Sequence, residues 1–505
     1  MAAAGRLAAR FEDFAGPTAI EQHATLLVLC FVSLTSDPTS GLNPNLASED
    51  FAVPIQTLAL RRRLPLPMEV SDELRSLEAT GIYRLADSRA AFLDPVRLLN
   101  ESYRRFRLVP SAYYSRSFGP SHQGGDAESE RTVPSPNREK RKRKRQKKPR
   151  ELNAVERLAD ARHQEARPLL ISAHDSLLKA KDLLEFLPEM IKGEECLLDV
   201  ETKLENNFVE LGSSWRAPFY EMTVCFQKAQ NNEDGFCNVQ RRSIPLFNRI
   251  INGDENDDAE GEFQSRRYIL PKGSCFLMTD FRHVRDLIPD NSKQEYNLIV
   301  IDPPWENGCV RQKEALFLNV AFVIPMVYSL VLEHFFHKSK KHIFCGLPWF
   351  AVQELAHPAG ALLVLWITNR EKLWKFVEDE LLPSWGVKDP TVFYWLKVKS
   401  DGSLIGDLDL FHHRPYECLL LGYINVNKEA ELKPKFKFLE GSQVIMSVPG
   451  AHSRKPPLQK ILSEYIPGTK PPRCIELFAR DLGSGWTSWG NEALHFQDSM
   501  YFSEK

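Results

Sequence analysis

The C-terminal half of the chain is predicted to be an α/β fold, on the basis of two observations. Leu298 to Ile301 is a run of four aliphatic residues, three of them β-branched, which is typical of a strand buried on both faces. Further apolar runs from Arg266 onward alternate with helix-like segments at spacings that suit a doubly wound sheet. The chain must leave the sheet after residue 301, because the paired prolines Pro303 and Pro304 cannot extend a strand ladder.

The predicted strands and helices follow from residue composition and from the spacing of apolar residues along the chain. The strands share apolar and β-branched residues bounded by turn residues, and they are Ser274–Met278, Tyr296–Ile301, Ala361–Ile367, Thr391–Val398, Tyr416–Tyr423, Val444–Val448 and Arg473–Phe478. Helices are predicted between them at Arg370–Leu382 and Pro457–Tyr465. Earlier in the chain, Ser71–Ala79 and Arg97–Phe106 have helix-like patterns, and the leucines of 154–192 predict one helix or two packed helices.

Composition shifts divide the chain into segments. The predicted organisation, in chain order, is an N-terminal region of unknown role (1–115), a disordered basic linker (116–150), a helical N-terminal domain (151–252), an acidic loop (253–265) and the catalytic-type α/β domain (266–502). The N-terminal part is therefore expected to be mixed but mainly helical. An apolar block at 315–344 interrupts the α/β domain.

The net charge of −2 hides two opposite runs, a basic one at 138–150 and an acidic one at 254–262. The basic run reads as a nuclear import signal, as a patch that meets phosphates, or as both; a plain solvated linker is the alternative. Nine scattered cysteines without a CxxC pair argue for a reducing compartment and against a zinc site, so no metal is expected. The apolar stretch Phe317 to Phe336 contains Asn, Pro, Glu and His, which argues against a membrane span.

Asp302-Pro303-Pro304-Trp305 places a carboxylate and an indole at the carboxyl end of a buried strand, where open α/β sheets bind ligands. The pattern [DNS]-P-P-[YFW] is the signature of enzymes that methylate exocyclic base amines. A carboxylate at Asp302 and the carbonyl of Pro303 can each accept a proton of the amine, and Trp305 offers a face on which a base can stack. An ordinary Asp-Pro turn is the alternative interpretation.

Other segments carry weaker signals. Asp280 closes a predicted strand and can accept hydrogen bonds from a nucleoside, or it simply caps the strand. Arg480 ends another strand, and Asn491 with Glu492 can take a ribose diol, although Trp486 and Trp489 nearby have the spacing of core residues. Lys455 or Arg454 can reach a carboxylate or a phosphate, unless their loop is merely solvated.

In this order, the motifs resemble the MTA/IME-type N6-adenosine methyltransferases, in particular the methyltransferase-like 4 subfamily in its plant form. The resemblance covers roughly Tyr268 to Phe502 and is carried by Asp302-Pro303-Pro304-Trp305, Leu365-Trp366-Ile367-Thr368-Asn369-Arg370, Pro415-Tyr416-Glu417, Ser453-Arg454-Lys455-Pro456-Pro457 and the block from Glu476 to Glu492. It implies a Rossmann-like domain, S-adenosylmethionine as the methyl donor, and N6-methylated adenine as the product. It also implies cofactor binding by Asp280, Phe281, Lys455, Arg480, Asn491 and Glu492, with Asp302, Pro303, Pro304 and Trp305 at the target amine.

The expected function is therefore N6-adenine methylation of nucleic acid in the nucleus, without a membrane or an obligate protein partner. The resemblance implies small nuclear RNA as the substrate, methylated at 2′-O-methyladenosine, while DNA is the alternative polymer. A non-catalytic partner that presents RNA to an active enzyme is the alternative of another class. The block 315–344 departs from the family, which has a short polar loop there, and is interpreted as retained intron or mispredicted exon sequence, with a real insertion as the alternative.

Overall fold

One large mixed β-sheet organises the fold. The computed structural model of the chain describes residues 71–86, 88–114, 152–192, 206–228, 238–279, 295–305, 352–411, 413–426, 436–468 and 470–505. The sheet runs, edge to edge, through β1 (Ile82–Arg84), β2 (Ala90–Leu93), β14 (Val444–Ser447), β12 (Thr391–Lys397), β13 (Tyr416–Ile424), β11 (Ala361–Ile367), β10 (Leu298–Ile301), β15 (Cys474–Leu477), β16 (Trp486–Gly490), β9 (Cys275–Met278) and β6 (Ile250–Asn252).

Two smaller sheets complete the β-structure of the described residues. One contains β5 (Asn238–Pro245), β4 (Glu221–Lys228), β7 (Ala259–Phe263) and β8 (Arg266–Leu270), and the other pairs β3 (Phe106–Leu108) with β17 (Phe502–Glu504). The helices are α1 (Asp72–Thr80), α2 (Pro95–Asn100), α3 (Pro110–Tyr113), α4 (Ala154–Lys179), α5 (Lys181–Ile191), α6 (Phe208–Ser213), α7 (Glu371–Phe376), α8 (Leu382–Ser384) and α9 (Gln459–Leu462). A π turn, Val377–Leu381, joins α7 to α8.

The centre of the large sheet has the order expected of a Rossmann-like domain. β10 lies between β11 and β15 and is parallel to both, while β15, β16 and β9 continue the parallel half. All four residues of β10 are buried, because aliphatic side chains cover both faces. The α/β, Rossmann-like fold class is therefore confirmed. The sheet is mixed rather than wholly parallel, since β13 runs antiparallel to β11 and to β12.

The predicted strands of the α/β region are all present, with ends that differ by at most two residues. The segment 154–192 forms two helices, α4 and α5. Asn153 and Glu156 begin α4 with a capping box, and Pro168 lies inside the helix rather than at its end. The helix predicted at Arg97–Phe106 is α2 instead, because Asp94 caps it and Pro95 occupies its first position.

In the described residues, the secondary structure of the N-terminal half differs from the mainly helical one that was expected. Strands β4, β5 and β6 lie within 151–252, so that region is not wholly helical, and β7 lies within the expected acidic loop. The region before residue 115 is also not separate, since β2 pairs with β14 in the large sheet. The pairing of β2 with β14 joins residues as far apart in the chain as Ala90 and Val444, and local composition does not report it.

The acidic run is ordered because it has partners far away in the chain. Asp258 is buried and accepts the backbone N–H groups of Arg104 and Arg105, each at 2.7 Å. The Arg105 guanidinium pairs with Asp257 at 3.5 Å. The N-terminal region therefore supplies hydrogen-bond and ionic partners to Asp257 and Asp258, and the second half of the run is the strand β7 rather than a solvated loop.

Candidate active site

Asp302 lies at the carboxyl edge of the parallel half of the sheet. Its backbone N–H donates to the carbonyl of Leu477 at 3.3 Å, which continues the pairing of β10 with β15 by one residue. The row Ile301, Leu477, Trp489 and Leu277 runs across β10, β15, β16 and β9 in register. The residues that follow this row therefore emerge at one edge, where ligands bind in open α/β sheets.

The rest of the tetrad is held by the backbone. The carbonyl of Pro303 accepts the N–H of Trp305 at 2.7 Å, so a tight turn follows the strand; this bond uses one of the two lone pairs of the carbonyl. The indole N–H of Trp305 donates to the carbonyl of Trp366 at 2.6 Å. Trp305 is only 5% exposed and packs in the core. The expected open face for stacking a base is therefore absent in this conformation, because the hydrogen bond to β11 turns the ring inward.

Lys455 joins two carboxylates at this edge. Its ammonium lies 3.4 Å from Asp302 and 3.0 Å from Glu417, and Glu417 also contacts the ammonium of Lys397. Burial opposes the charged form of Lys455, but Asp302 and Glu417 raise its pKa above the ordinary value. Burial likewise favours the neutral form of Glu417, yet the charges of Lys455 and Lys397 lower its pKa to about 2. The four groups form an alternating array of ions.

The structure separates the two cations that the sequence left as alternatives. Arg454 is buried and donates from Nε to Asp481 at 2.7 Å, and its guanidinium lies over the rings of Tyr113 and Phe496. An arginine held this way is part of the framework. Lys455 is the cation of this pair that reaches Asp302.

The N-terminal region supports the same loop. Tyr103 donates to Gln497 at 3.0 Å, and the side-chain amide of Gln497 donates to Asp481 at 2.6 Å. Asp481 in turn holds Arg454, next to Lys455 in the chain. A connected network of side chains thus links residues near position 103 to the candidate site, a role that the sequence did not predict for this region.

A cavity of about 360 Å³ opens beside Asp302. Asp302, Lys455 and Arg480 line it, and Leu98 and Leu99 of α2 contribute to its wall. Glu476 also faces it, and burial, with Asp302 and Asp481 adding to the effect, raises the pKa of this carboxyl to about 8. Burial therefore favours the protonated form of Glu476. A pocket of this size with a few converging polar groups is typical of small-molecule sites.

The remaining predicted residues take different positions. Arg480 donates to the carbonyl of Ser453 at 3.2 Å. Asn491 and Glu492 follow β16 at the same edge but do not line the cavity formed by the described residues. Asp280 and Phe281 lie outside the described residues, and so does the block 315–344.

The residue before Asn491 has to be a glycine, because there is no room for a side chain at position 490. A Cβ at this position would lie 2.5 Å from the carbonyl oxygen of Ala479, because the chain after β15 passes directly over the end of β16. The neighbours Ala479 and Trp489 are joined by a backbone hydrogen bond of 2.8 Å, so the approach cannot widen easily. The close contact fixes where Asn491 and Glu492 emerge.

Sequence reasoning missed Glu417 and Lys397 as members of the site. In the sequence, Glu417 stands out only as part of the Pro415-Tyr416-Glu417 motif, and Lys397 lies inside the predicted strand Thr391–Val398. A signal was available, since Glu417 is a charged residue within the mostly buried strand β13. Charges in such positions are rarely buried without partners.

The part of the chain that contains this site is similar to known proteins. A family model described as MT-A70 matches residues 296–492. "N(6)-adenine-specific methyltransferase METTL4" of Mus musculus is 35% identical over 264 residues, which cover 51% of this chain and 50% of the mouse protein. The Homo sapiens protein of the same name is 33% identical, with 51% and 49% covered.

A fungal protein is also similar. "N6-methyladenosine RNA methyltransferase MTA1" of Pyricularia oryzae (strain 70-15 / ATCC MYA-4617 / FGSC 8958) is 27% identical over 235 residues, with 46% of this chain and 56% of the fungal protein covered. The chain thus matches about half the length of these relatives. In the described part of the chain, every helix is too short or too polar to cross a bilayer.

Proposed function

We propose that this chain is an S-adenosylmethionine-dependent methyltransferase that modifies the N6 amine of adenine in nucleic acid, because an MT-A70 family model matches residues 296–492. The observation that carries the proposal is the position of Asp302. Its carboxylate lies at the ligand-binding edge of the sheet, beside a cavity and within 3.4 Å of a lysine ammonium. The names of the similar mouse and human proteins, which refer to N(6)-adenine, support the same chemistry.

The residues present fit S-adenosylmethionine. The cavity has the size of a small-molecule site, and it offers the cations of Lys455 and Arg480 for the carboxylate of an amino acid moiety. Asn491 and Glu492 emerge at the same edge and can bind the ribose hydroxyls. When bound, the cofactor supplies the methyl group.

The protein's own contribution is positioning. The carboxylate of Asp302 and the second lone pair of the Pro303 carbonyl accept the two protons of the target amine and hold its nitrogen out of conjugation with the ring. Lys455 fixes the Asp302 side chain and is itself held by Glu417. Effective alignment of two reactants accounts for a large part of enzymatic rate enhancement, so such fixed groups are valuable here.

The proposed substrate is RNA, with small nuclear RNA methylated at 2′-O-methyladenosine as the specific form. The name of the fungal relative refers to RNA, which favours RNA over DNA. The basic run at 138–150 supports a nuclear location, where such RNA occurs. A target base must leave its stack to reach Asp302 in either polymer.

Purified full-length protein tests the proposal with matched RNA and DNA oligonucleotides and mass identification of the product nucleosides. We expect N6-methyladenine on RNA in the wild type and none in Asp302→Asn. Cofactor affinity should stay within a few fold in that variant, since Lys455 retains Glu417 as a partner at 3.0 Å. Asp72→Asn, which alters an exposed carboxylate far along the chain, is the matched control.

Three outcomes would contradict the proposal or part of it. Full turnover in Asp302→Asn would refute the role of the carboxylate, and product only on DNA would refute the RNA assignment. If the wild-type protein is folded but binds no S-adenosylmethionine in calorimetry, the chain is instead a non-catalytic RNA-binding partner of an active methyltransferase.

A further inference from the structure

The cavity beside Asp302 lies on a part of the sheet that has no crossover helix of its own. β15 and β16 are parallel neighbours, yet only residues 478–485 connect them, and this connection contains no helix. Parallel strands are usually joined by about a dozen or more residues that include a helix. Residues of α2 and α9 line the cavity instead, together with residues of the strands. The face of β15 is therefore left open to a ligand.

Glu476 is the residue of β15 that lines this cavity. It lies in register between Val300 of β10 and Ser488 of β16, and all three line the cavity. Strands in the parallel part of a sheet are usually apolar on both faces, and the other three residues of β15 are buried. Glu476 is half-buried. A carboxyl group thus stands on the sheet face where an apolar side chain is the usual occupant.

Four carboxylates line the cavity, and three of them have a cationic partner. The pairs are Asp302–Lys455 at 3.4 Å, Asp481–Arg454 at 2.5 Å and Glu101–Lys460 at 2.5 Å; Lys272 and Arg480 are the other cations of the lining. Among the described residues, none makes an ion pair or a hydrogen bond with the carboxyl of Glu476. A half-buried carboxyl that lacks such a partner is unfavourable for the fold and is typical of a group that binds a ligand.

The charges near Glu476 act in both directions. Burial is the main cause that raises its pKa to about 8, Asp302 and Asp481 raise it further, and Arg480 and Lys455 lower it in part. Both cations are therefore close enough to influence Glu476, although neither pairs with it. Burial favours the protonated form in the protein alone, whereas a ligand cation beside the carboxyl favours the ionised form.

We propose that Glu476 binds the α-ammonium group of S-adenosylmethionine. This inference rests on the proposed function for the identity of the cofactor. The amino acid end of the cofactor carries a carboxylate and an ammonium on the same carbon. A site that offers Lys455 and Arg480 to the carboxylate must therefore accept the ammonium close by. Glu476 is the unpaired carboxyl of the described lining, and a charge-assisted hydrogen bond satisfies both groups.

Replacement of Glu476 by glutamine should change stability and binding in opposite directions. A carboxyl whose pKa is raised in the folded protein lowers stability once pH exceeds the unfolded value of 4.5, and this effect grows until pH passes about 8. Glu476→Gln should therefore melt at a higher temperature than the wild type at pH 8, and at nearly the same temperature at pH 4. A residue that only holds the fold together would instead lower the melting temperature when it is replaced.

Calorimetry with two ligands measures the contact. S-adenosylhomocysteine carries the α-ammonium, and its deamino analogue lacks only that group. The wild type should bind S-adenosylhomocysteine at least about tenfold more tightly than the analogue. In Glu476→Gln this preference should disappear, while affinity for the analogue stays within about twofold. Glu464→Gln, which changes a 39% exposed carboxylate 3.7 Å from Arg84, is the matched control and should bind like the wild type.

Proton release gives a second measurement, which needs no variant. Binding of an ammonium beside Glu476 should release part of a proton at pH 7, because the complex favours the ionised carboxyl. Calorimetry in phosphate and in Tris buffer detects the release as a difference in the apparent enthalpy of binding. The deamino analogue should release no proton from this group.

The outcomes separate this inference from the proposed function. If the wild type binds neither S-adenosylmethionine nor S-adenosylhomocysteine, both fail. If the wild type binds them but Glu476→Gln keeps the preference over the deamino analogue, the role of Glu476 is refuted and the proposed function stands. Absence of proton release in the wild type has the same meaning. Loss of affinity for both ligands, together with a lower melting temperature at pH 8, would show a structural role and would also overturn the inference.

Discussion

Glu417→Gln removes one negative charge from the array at the candidate site and leaves its shape nearly unchanged. In the native protein, Lys455 and Lys397 lower the pKa of Glu417 from 4.5 to about 2. That lowering corresponds to about 3 kcal/mol of stability at neutral pH, since one unit is worth about 1.36 kcal/mol. The variant also leaves two ammonium groups facing each other with Asp302 as the remaining carboxylate of the array.

The loss of stability in Glu417→Gln should depend on pH. A carboxyl with a depressed pKa stabilises the fold above its unfolded pKa of 4.5, and this contribution disappears as pH falls toward 2. The stability difference between wild type and Glu417→Gln should therefore be about 3 kcal/mol at pH 7 and smaller by roughly 1 kcal/mol at pH 4. Urea unfolding at both pH values measures it.

Glu464→Gln is the control for an exposed pair. Glu464 lies 3.7 Å from Arg84 and 3.9 Å from Lys437, and its side chain is 39% exposed, so its loss should cost less than about 1 kcal/mol. A Glu417→Gln protein as stable as the wild type at pH 7 would refute the electrostatic reasoning. So would a difference that does not change between pH 7 and pH 4.

The other predictions concern separate features of the chain. Trp305→Ala should destabilise the fold by about 3 to 5 kcal/mol in urea unfolding, because a buried indole and its hydrogen bond to Trp366 are lost; unchanged stability would show that the ring is not packed as described. Gly490→Ala should lower the melting temperature and the affinity for S-adenosylmethionine together, because its Cβ would lie 2.5 Å from a backbone oxygen; a normal melting temperature would contradict the close contact. Replacement of the basic residues of 140–148 by neutral ones should move a fluorescent fusion from nucleus to cytoplasm, and retention in the nucleus would place the signal elsewhere. Replacement of 315–344 by a short polar loop should improve solubility and raise methyl transfer; a less active product would show that the block is a genuine element.

Sequence alone determined the α/β class, seven strands of the C-terminal half and the position of Asp302, but it did not predict β16. These properties are local, because a buried strand needs a run of aliphatic residues and the prolines that follow must end it. The same reasoning failed in the N-terminal half. Polar and apolar residues alternate only weakly in strands such as β5. The leucine-rich helical segment 154–192 nearby therefore led to the prediction of a helical domain.

Tertiary structure decided which charged groups meet. Lys455, Glu417 and Lys397 come from different parts of the chain, and only the pairing of β12 with β13 and the loop after β14 brings them to Asp302. It also distinguished Lys455 from Arg454, which the sequence left equivalent, because Asp481 and two aromatic rings hold Arg454. Coulomb interactions depend on distance in space, and separation along the chain does not report that distance.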